Sequence, residues 1–280
     1  MALLRYDADR IPVALMTTYF AADLVVFLFA KAPWVPVLWF LLGIFPKGWV
    51  SAFGHHHQHV HFFKKTWINR VFELGLSLQT GIITNLWVLH HVLGHHLNYL
   101  TPEKDESGWK TADGRVLGVV EYTIVITATS YSRAWKVGER FPKVRRGMVL
   151  GGLATFTVLA WLFSVNPWNA FWVYLVPMVT TITATAWVTY YHHANFPTND
   201  AMDGCTNIVD PTYNLLTGNL GFHSAHHHRQ NIHWSKLPEL HAQLASKIPA
   251  QNYLAAGAPV PWIRSLLRLL RPARRPSPAE

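Results

Sequence analysis

The chain has 280 residues, half of them hydrophobic, with a positive mean hydropathy of +0.13. Only 14% of the residues are charged, against about 25% in ordinary soluble domains, and the formal net charge is +9. This composition excludes a disordered chain, a collagen, a coiled coil and a typical cytosolic enzyme. The single cysteine, Cys205, excludes an intrachain disulfide framework and a thiolate-based zinc or iron–sulfur site within one chain.

Four apolar runs are long enough to cross a lipid bilayer, which requires about 20 helical residues. These runs cover residues 11–30, 34–53, 147–165 and 168–190. The fold class predicted from them is an all-α integral membrane protein with four transmembrane helices in two tight hairpins. The hairpin turns carry almost no charge, since Lys31 is the one charged residue in the first and residues 164–169 of the second have none.

The opposite ends of the predicted spans are basic. Eleven cationic residues flank them on that side: Lys64, Lys65, Arg70, Arg133, Lys136, Arg140, Lys143, Arg145, Arg146, Arg229 and Lys236. Because positive charge is enriched on the cytoplasmic side of membrane proteins, we expect both termini and both long loops to be cytoplasmic, with the bacterial inner membrane as the expected location.

Two further apolar segments, residues 71–89 and 119–135, are interrupted by polar residues such as Glu73 and Asn85. A fifth span would move residues 140–146, with their arginines, to the outside, so we expect both segments to be interfacial helices. Residues 251–280 form an arginine-rich, leucine-lined tail, which is typical of an amphipathic helix on anionic lipid. The basic charge is therefore attributed to the membrane, and no nucleic-acid partner is expected.

Most of the histidines fall into four groups, each beyond an apolar helix on the side predicted to be cytoplasmic. The groups lie within residues 55–61, 90–96, 192–193 and 223–228. Spacings of three and four residues direct side chains toward one face of a helix, and neutral imidazole is the commonest metal-binding side chain. Together the four groups predict a histidine-rich metal site in a cytoplasmic cap.

The order and spacing of these histidines resemble those of the membrane-bound fatty acid desaturases and their relatives, the alkane hydroxylases. That family has three histidine boxes, which here read His55 to His59, His91 with His95-His96, and His223 with His226-His227. The segments GHHLNYLTPEKDESGW and NLLTGNLGFHSAHHHRQNIHWSKLPELH are also similar to the text that follows the second box and surrounds the third. The resemblance extends over about residues 11 to 245, and residues 1–250 are interpreted as a desaturase-like membrane domain.

The resemblance implies two iron ions held by nine imidazoles and no catalytic residue beyond these ligands. The implied ligand set is His55, His59, His91, His95, His96, His192, His223, His226 and His227. In the family an additional histidine at the end of the fourth span completes the shell, which indicates His192, with His193 as the alternative. The first box has surplus histidines, so His57 and His61 remain an alternative to His55 and His59.

The function that the resemblance implies is O2-dependent desaturation of a fatty acyl chain, an oxidoreductase activity in lipid metabolism. Hydroxylation of a fatty acyl or alkyl substrate, or its oxidative decarboxylation to a terminal alkene or alkyne, is the alternative within the same chemistry. A separate electron donor of the ferredoxin, rubredoxin or cytochrome b5 type is expected. The alternative from another class is a metal transporter, but transporters usually bind ions near the bilayer midplane, and the four predicted spans contain no histidine and one acidic residue, Asp23.

Overall fold

The structure is a computed structural model that describes residues 3–111, 113–197 and 199–254. It is helical, and the described residues form only isolated β-bridges and no strand. The all-α fold class is therefore confirmed. The tail predicted over 251–280 lies outside the described residues from position 255 onward.

Two helical hairpins form the apolar part of the molecule. The first consists of α1 (Arg10–Phe29) and α2 (Trp34–His59). The second consists of α5 (Pro142–Val165) and a 27-residue span, Pro167–His193, which is built from α6 (Pro167–Ala170), a π-helical turn (Phe171–Leu175) and α7 (Val176–His193). All four spans are long and apolar enough to cross a membrane, as the sequence predicts.

The turns of the two hairpins contact each other at one end of the bundle. The indole of Trp168 donates a hydrogen bond to the Pro33 carbonyl (2.8 Å), and the Asn169 amide donates to the carbonyls of Phe27 (2.9 Å) and Ala30 (3.0 Å). Asn169 is buried and thus satisfies two carbonyls that the end of α1 leaves without helical partners. The other ends of the spans, where the histidines lie, therefore share the opposite end of the bundle.

Between the hairpins the chain forms α3 (Thr66–Thr80), a π-helix (Val88–His96) and α4 (Val119–Val137). After the last span follow α8 (Pro211–Thr217), α9 (His223–His228) and α10 (Leu237–Leu244). α7 is the central element, since α2, α3 and α4 all pack against it. This arrangement brings the ends of α2 and α7, the π-helix and α9 together.

The helices of two spans continue beyond the apolar runs. The apolar run predicted to end at residue 53 continues as helix to His59, so the first histidine box forms the last turns of α2. The fourth span likewise continues to His193. The continuation is possible because the histidines are buried against other elements, which stabilises a helix whose own sequence is not apolar.

Candidate metal centre

One group of imidazoles forms where α2, the π-helix and α9 meet. The ligand atoms of His55, His59, His91 and His226 lie within 4.8 Å of one another. The Nε2 atoms of His55 and His226 are 3.0 Å apart. His96 completes this first group, because its Nε2 lies 2.9 Å from that of His91.

A second group is centred on His193 at the end of α7. Its Nε2 lies 3.1 Å from that of His95, 2.9 Å from that of His223 and 3.1 Å from that of His227. The two groups are adjacent, since the rings of His96 and His227 stack with centroids 4.1 Å apart. The nine imidazoles thus divide into five and four around two neighbouring points.

The π-helix explains this division of the second box. In an α-helix of 3.6 residues per turn, residue i+5 lies about 140° around the axis from residue i. A π-helix pairs residue i with residue i+5 and so allows His91 and His96 to face the same group. His95, one residue earlier than His96, faces the other group.

Two asparagines that precede α9, Asn207 in a loop and Asn214 on α8, orient the third box. Asn207 accepts a hydrogen bond from the Ser224 amide (3.0 Å) and donates one to the Ser224 hydroxyl (2.8 Å). Asn214 donates to the Ile208 carbonyl (2.8 Å) and accepts from the Gly221 amide (3.1 Å). Both asparagines are buried, and together they fix the start of the short helix that carries His223, His226 and His227.

Residues outside the two groups contact individual imidazole rings and orient them. Asp105 Oδ1 lies 2.7 Å from His95 Nδ1, on the side of the ring away from the second group. The indole nitrogen of Trp87 lies 3.1 Å from His55 Nδ1. A carboxylate behind a histidine is the usual means of orienting a metal ligand, and Asp105 stands out from the sequence only as one of several polar residues after the second box.

His192 and His193, adjacent residues at the end of the fourth span, have different surroundings. His193 enters the second group, whereas the Nε2 of His192 lies 3.2 Å from the Tyr213 hydroxyl and its ring stacks on that of His223 at 4.0 Å. His193, the alternative at this position, thus lies among the imidazoles of the second group, and His192 lies beside it. In the first box the structure brings His55 and His59 into the first group and places His57 and His61 beside Glu73 instead.

Four other histidines lie outside the two groups. His56 Nε2 is 3.0 Å from the Thr217 carbonyl, His233 Nε2 is 2.9 Å from Asp9 and His228 is exposed. His90 is buried and stacks on Trp87. These residues do not belong to either group.

The chemistry of the groups fits metal ions. A neutral imidazole nitrogen carries either one proton or one lone pair, so His193 Nε2 cannot form hydrogen bonds with three other Nε2 atoms at once. Two ligands at right angles on one cation, each about 2.1 Å from it, are about 3.0 Å apart, which matches the observed Nε2 separations of 2.9 to 3.1 Å. A cation in each group would therefore account for contacts that hydrogen bonding does not.

Burial keeps these side chains in the form that binds metals. Loss of solvent, followed by repulsion from neighbouring histidines, holds the pKa of several imidazoles well below its ordinary value. Those outside the spans are His91, His96, His223, His226 and His227. They are neutral at neutral pH and have a lone pair to donate.

The sequence matches a known protein family over most of its length. The family model described as fatty acid desaturase matches residues 32–256, which is most of the chain and contains every histidine of both groups. No curated protein and no solved structure matched. The chain, with its four apolar spans and its two groups of buried imidazoles, belongs to the fatty acid desaturase family.

Proposed function

We propose that this protein is a membrane-bound di-iron oxidoreductase that uses O2 to desaturate a fatty acyl chain. The observation that carries the proposal is the convergence of nine imidazoles, eight of them buried and that of His59 half-buried, on two adjacent points in a chain of the desaturase family. Carboxylate-bridged sites rely on glutamates, whereas the ligand atoms of these two groups are imidazole nitrogens.

The proposed ligands keep eight of the nine histidines that the resemblance implies and take His193 in place of His192. One ion is assigned to His55, His59, His91, His96 and His226, and the other to His95, His193, His223 and His227. When bound, iron supplies the activation of O2 and the oxidising power that removes hydrogen from an unactivated methylene. The chain supplies neutral donors, so the charge of the metal ions is not offset by ligand carboxylates.

The chain's own residues position the site at the boundary of the apolar bundle. His55 follows the buried Val50 and Ser51 on α2, and Ser51 Oγ lies 2.8 Å from Thr185 Oγ1 of α7, below the imidazoles. An acyl chain that enters from the bilayer between the spans would reach the imidazoles at their ends while its polar head group stays at the aqueous side. We expect that side, and both termini, to be cytoplasmic in a bacterial inner membrane.

Electrons would come from a separate carrier of the ferredoxin, rubredoxin or cytochrome b5 type. The junction of α4 and α5 presents exposed cations, namely Lys136, Arg140, Lys143 and Arg146. Opposite charge accelerates the encounter with an acidic carrier. Anionic lipid is the competing ligand for the same cations.

Two measurements test the proposal. Mass spectrometry of lipids and free acyl products, from cells with and without the protein, should show acyl chains two hydrogens lighter. Purified protein should contain about two irons per chain, and His95→Ala should abolish the product while the protein still purifies as a folded membrane protein.

The same mass spectrometry also distinguishes desaturation from the alternative reactions. Addition of one oxygen would identify a hydroxylase, and loss of the carboxyl carbon would identify a decarboxylating oxidase. Full activity after stringent removal of iron would contradict the di-iron proposal itself. Accumulation of metal in cells, with no acyl product, would instead indicate a transporter.

A further inference from the structure

A third cluster of ligand-type atoms lies outside the two imidazole groups. It consists of His57 on α2, His61 just after that helix and Glu73 on α3, whose ligand atoms lie within 4.8 Å of one another. His57 is two residues from His55, which is about 200° around an α-helix, so the two rings face different neighbours. The ring of His57 packs on Phe62 (4.8 Å) and Phe72 (5.3 Å).

The three atoms that face one another have no hydrogen-bond partner among the described residues. They are His57 Nε2, His61 Nε2 and Glu73 Oε1. The side chains of His57 and Glu73 are 0% and 1% exposed, while that of His61 is 33% exposed. Buried polar atoms in native proteins are nearly always satisfied, yet beyond the long contacts of the two nitrogens with the carboxylate oxygen these atoms have no partner among the described residues.

The separations are those of ligands rather than of hydrogen bonds. Glu73 Oε1 lies 3.5 Å from His57 Nε2 and 3.4 Å from His61 Nε2, beyond the usual range of about 2.7 to 3.2 Å for an N–H···O bond. Ligands about 2.1 Å from one tetrahedral cation are about 3.4 Å apart. The third cluster therefore matches a tetrahedral edge, whereas the five close Nε2 pairs of the two imidazole groups match the shorter edge of an octahedron.

One carboxylate oxygen of Glu73 is bound by Arg70, and the other faces the two histidines. Its Oε2 accepts a hydrogen bond from Arg70 (2.6 Å), and Arg70 also donates to Asn85 Oδ1 (3.1 Å). The carboxylate is thus oriented from behind, and Oε1 is left to face the two histidines. This is the arrangement in which a neighbouring group fixes a metal ligand.

We propose that His57, His61 and Glu73 form a third, mononuclear metal site that binds a divalent cation of the Zn²⁺ type. Two histidines and one carboxylate are a common set for such ions, with a fourth position left for water, here on the exposed side of His61. The site joins the end of α2 to α3, and because none of its ligands belongs to the nine imidazoles, it does not depend on the proposed function.

Binding has a specific structural consequence at His57. The Phe62 amide donates a hydrogen bond to His57 Nδ1 (3.2 Å), so in this arrangement a neutral His57 ring carries its proton on Nε2, and a metal ion must displace that proton. A metal ion on Nε2 places the imidazole proton on Nδ1, so this amide contact is lost when the site is loaded. Hydrogen exchange of the Phe62 amide should therefore be faster in protein loaded with Zn²⁺ than in protein treated with a chelator.

Metal analysis of the purified full chain tests the site. We expect the wild type to hold one metal ion per chain more than His61→Ala and Glu73→Gln, which is about three against two when both imidazole groups are loaded, with His228→Ala, an exposed histidine, as the matched control that keeps the wild-type content. His61→Ala changes a partly exposed side chain, so it remains informative if Glu73→Gln fails to fold. A metal content that is the same in the wild type and in His61→Ala would overturn the proposal, whatever the imidazole groups bind.

Cobalt substitution provides an independent readout. Tetrahedral Co²⁺ absorbs visible light far more intensely than octahedral Co²⁺, so the third site should dominate the spectrum of the cobalt-loaded protein. We expect that band to be absent in His61→Ala and retained in His95→Ala. A band that disappears in His95→Ala but persists in His61→Ala would assign it to the imidazole groups and contradict the third site.

Discussion

Asp105 Oδ1 lies 2.7 Å from Nδ1 of His95, while Nε2 of the same ring points at His193. Asp105 also accepts a hydrogen bond from the Ser107 amide (2.8 Å), which fixes the carboxylate in its loop. The aspartate therefore determines both the tautomer and the direction of His95. It positions a proposed ligand without reaching the metal site itself.

Asp105→Asn should weaken metal binding in the second group without removing a ligand. Loss of such an orienting contact typically costs about 10-fold to 100-fold in affinity, or about 1.4 to 2.7 kcal/mol. Titration of chelator-treated protein with Fe²⁺ measures this change. Asp113→Asn is the matched control, because Asp113 is an exposed residue that contacts Thr111; equal affinities in the two variants would exclude a positioning role for Asp105.

The second prediction compares His192 and His193 at the end of α7. His193→Ala should remove one of the two proposed irons and reduce product formation to background, because His193 Nε2 faces three other imidazoles. His192→Ala should keep two irons, since His192 faces the Tyr213 hydroxyl. Iron content and acyl products of the two variants, measured side by side, check this assignment.

The reverse outcome, with iron lost from His192→Ala and kept in His193→Ala, would restore the ligand that the family resemblance implies. Tyr213→Phe serves as the control for His192, because it removes the one hydroxyl that His192 Nε2 contacts. If Tyr213→Phe loses iron as His192→Ala does, the role of His192 is to support the site through Tyr213.

The sequence alone could not decide whether His192 or His193 faces the other imidazoles. Adjacent residues of an α-helix differ by 100° in direction, so the rotation of α7 decides which ring enters the site. That rotation is set by the packing of α2, α3 and α4 around α7, which no local pattern encodes. Apolar run lengths, in contrast, predicted all four spans because bilayer thickness fixes them.

Other features of the site depend in the same way on contacts between distant segments. Spacing predicted that the histidines of the second box converge, but it did not predict their division, because a π-helix replaces the expected α-helical geometry. Glu73 stands out in the sequence only as a polar interruption of an apolar segment. Its relation to His57 and His61 arises from the packing of α3 against α2.

A third prediction concerns an ion pair inside the apolar bundle. Asp23 of α1 is 0% exposed and pairs with Lys47 of α2, which is 3% exposed, and the indole of Trp39 donates to the same aspartate (2.8 Å). Lys47→Met would leave a buried carboxylate without its counterion, which typically costs about 3 to 5 kcal/mol. Thermal unfolding of the purified protein in detergent should show the loss.

The double variant Asp23→Leu/Lys47→Met should recover much of this stability, because it removes both buried charges. Lys31→Met, which changes an exposed lysine in the turn of the first hairpin, should leave the unfolding temperature unchanged. A double variant no more stable than Lys47→Met alone would show that the two charges are not coupled.

The fourth prediction compares two glycines with the same backbone conformation. Gly81 ends α3 with φ of 73° and Gly114 lies in a loop with φ of 83°, a region that costs other residues about 1 to 2 kcal/mol. A Cβ at Gly81 would meet the Met178 carbonyl oxygen of α7, whereas a Cβ at Gly114 would meet nothing within 4 Å. Gly114→Ala should therefore lose about 1 to 2 kcal/mol, and Gly81→Ala should lose about 1 to 3 kcal/mol more from overpacking.

Thermal unfolding of both variants separates conformational strain from the steric clash. Gly48→Ala is the control for the substitution itself, because Gly48 lies within α2, has no positive φ and has open space around it. Equal losses in Gly81→Ala and Gly114→Ala would mean that α3 and α7 can move apart at no cost. Glu73 of the proposed third site lies on α3, and His193 of the second imidazole group lies on α7. Equal losses would therefore also indicate that these two sites do not need the close approach of α3 and α7 at Gly81.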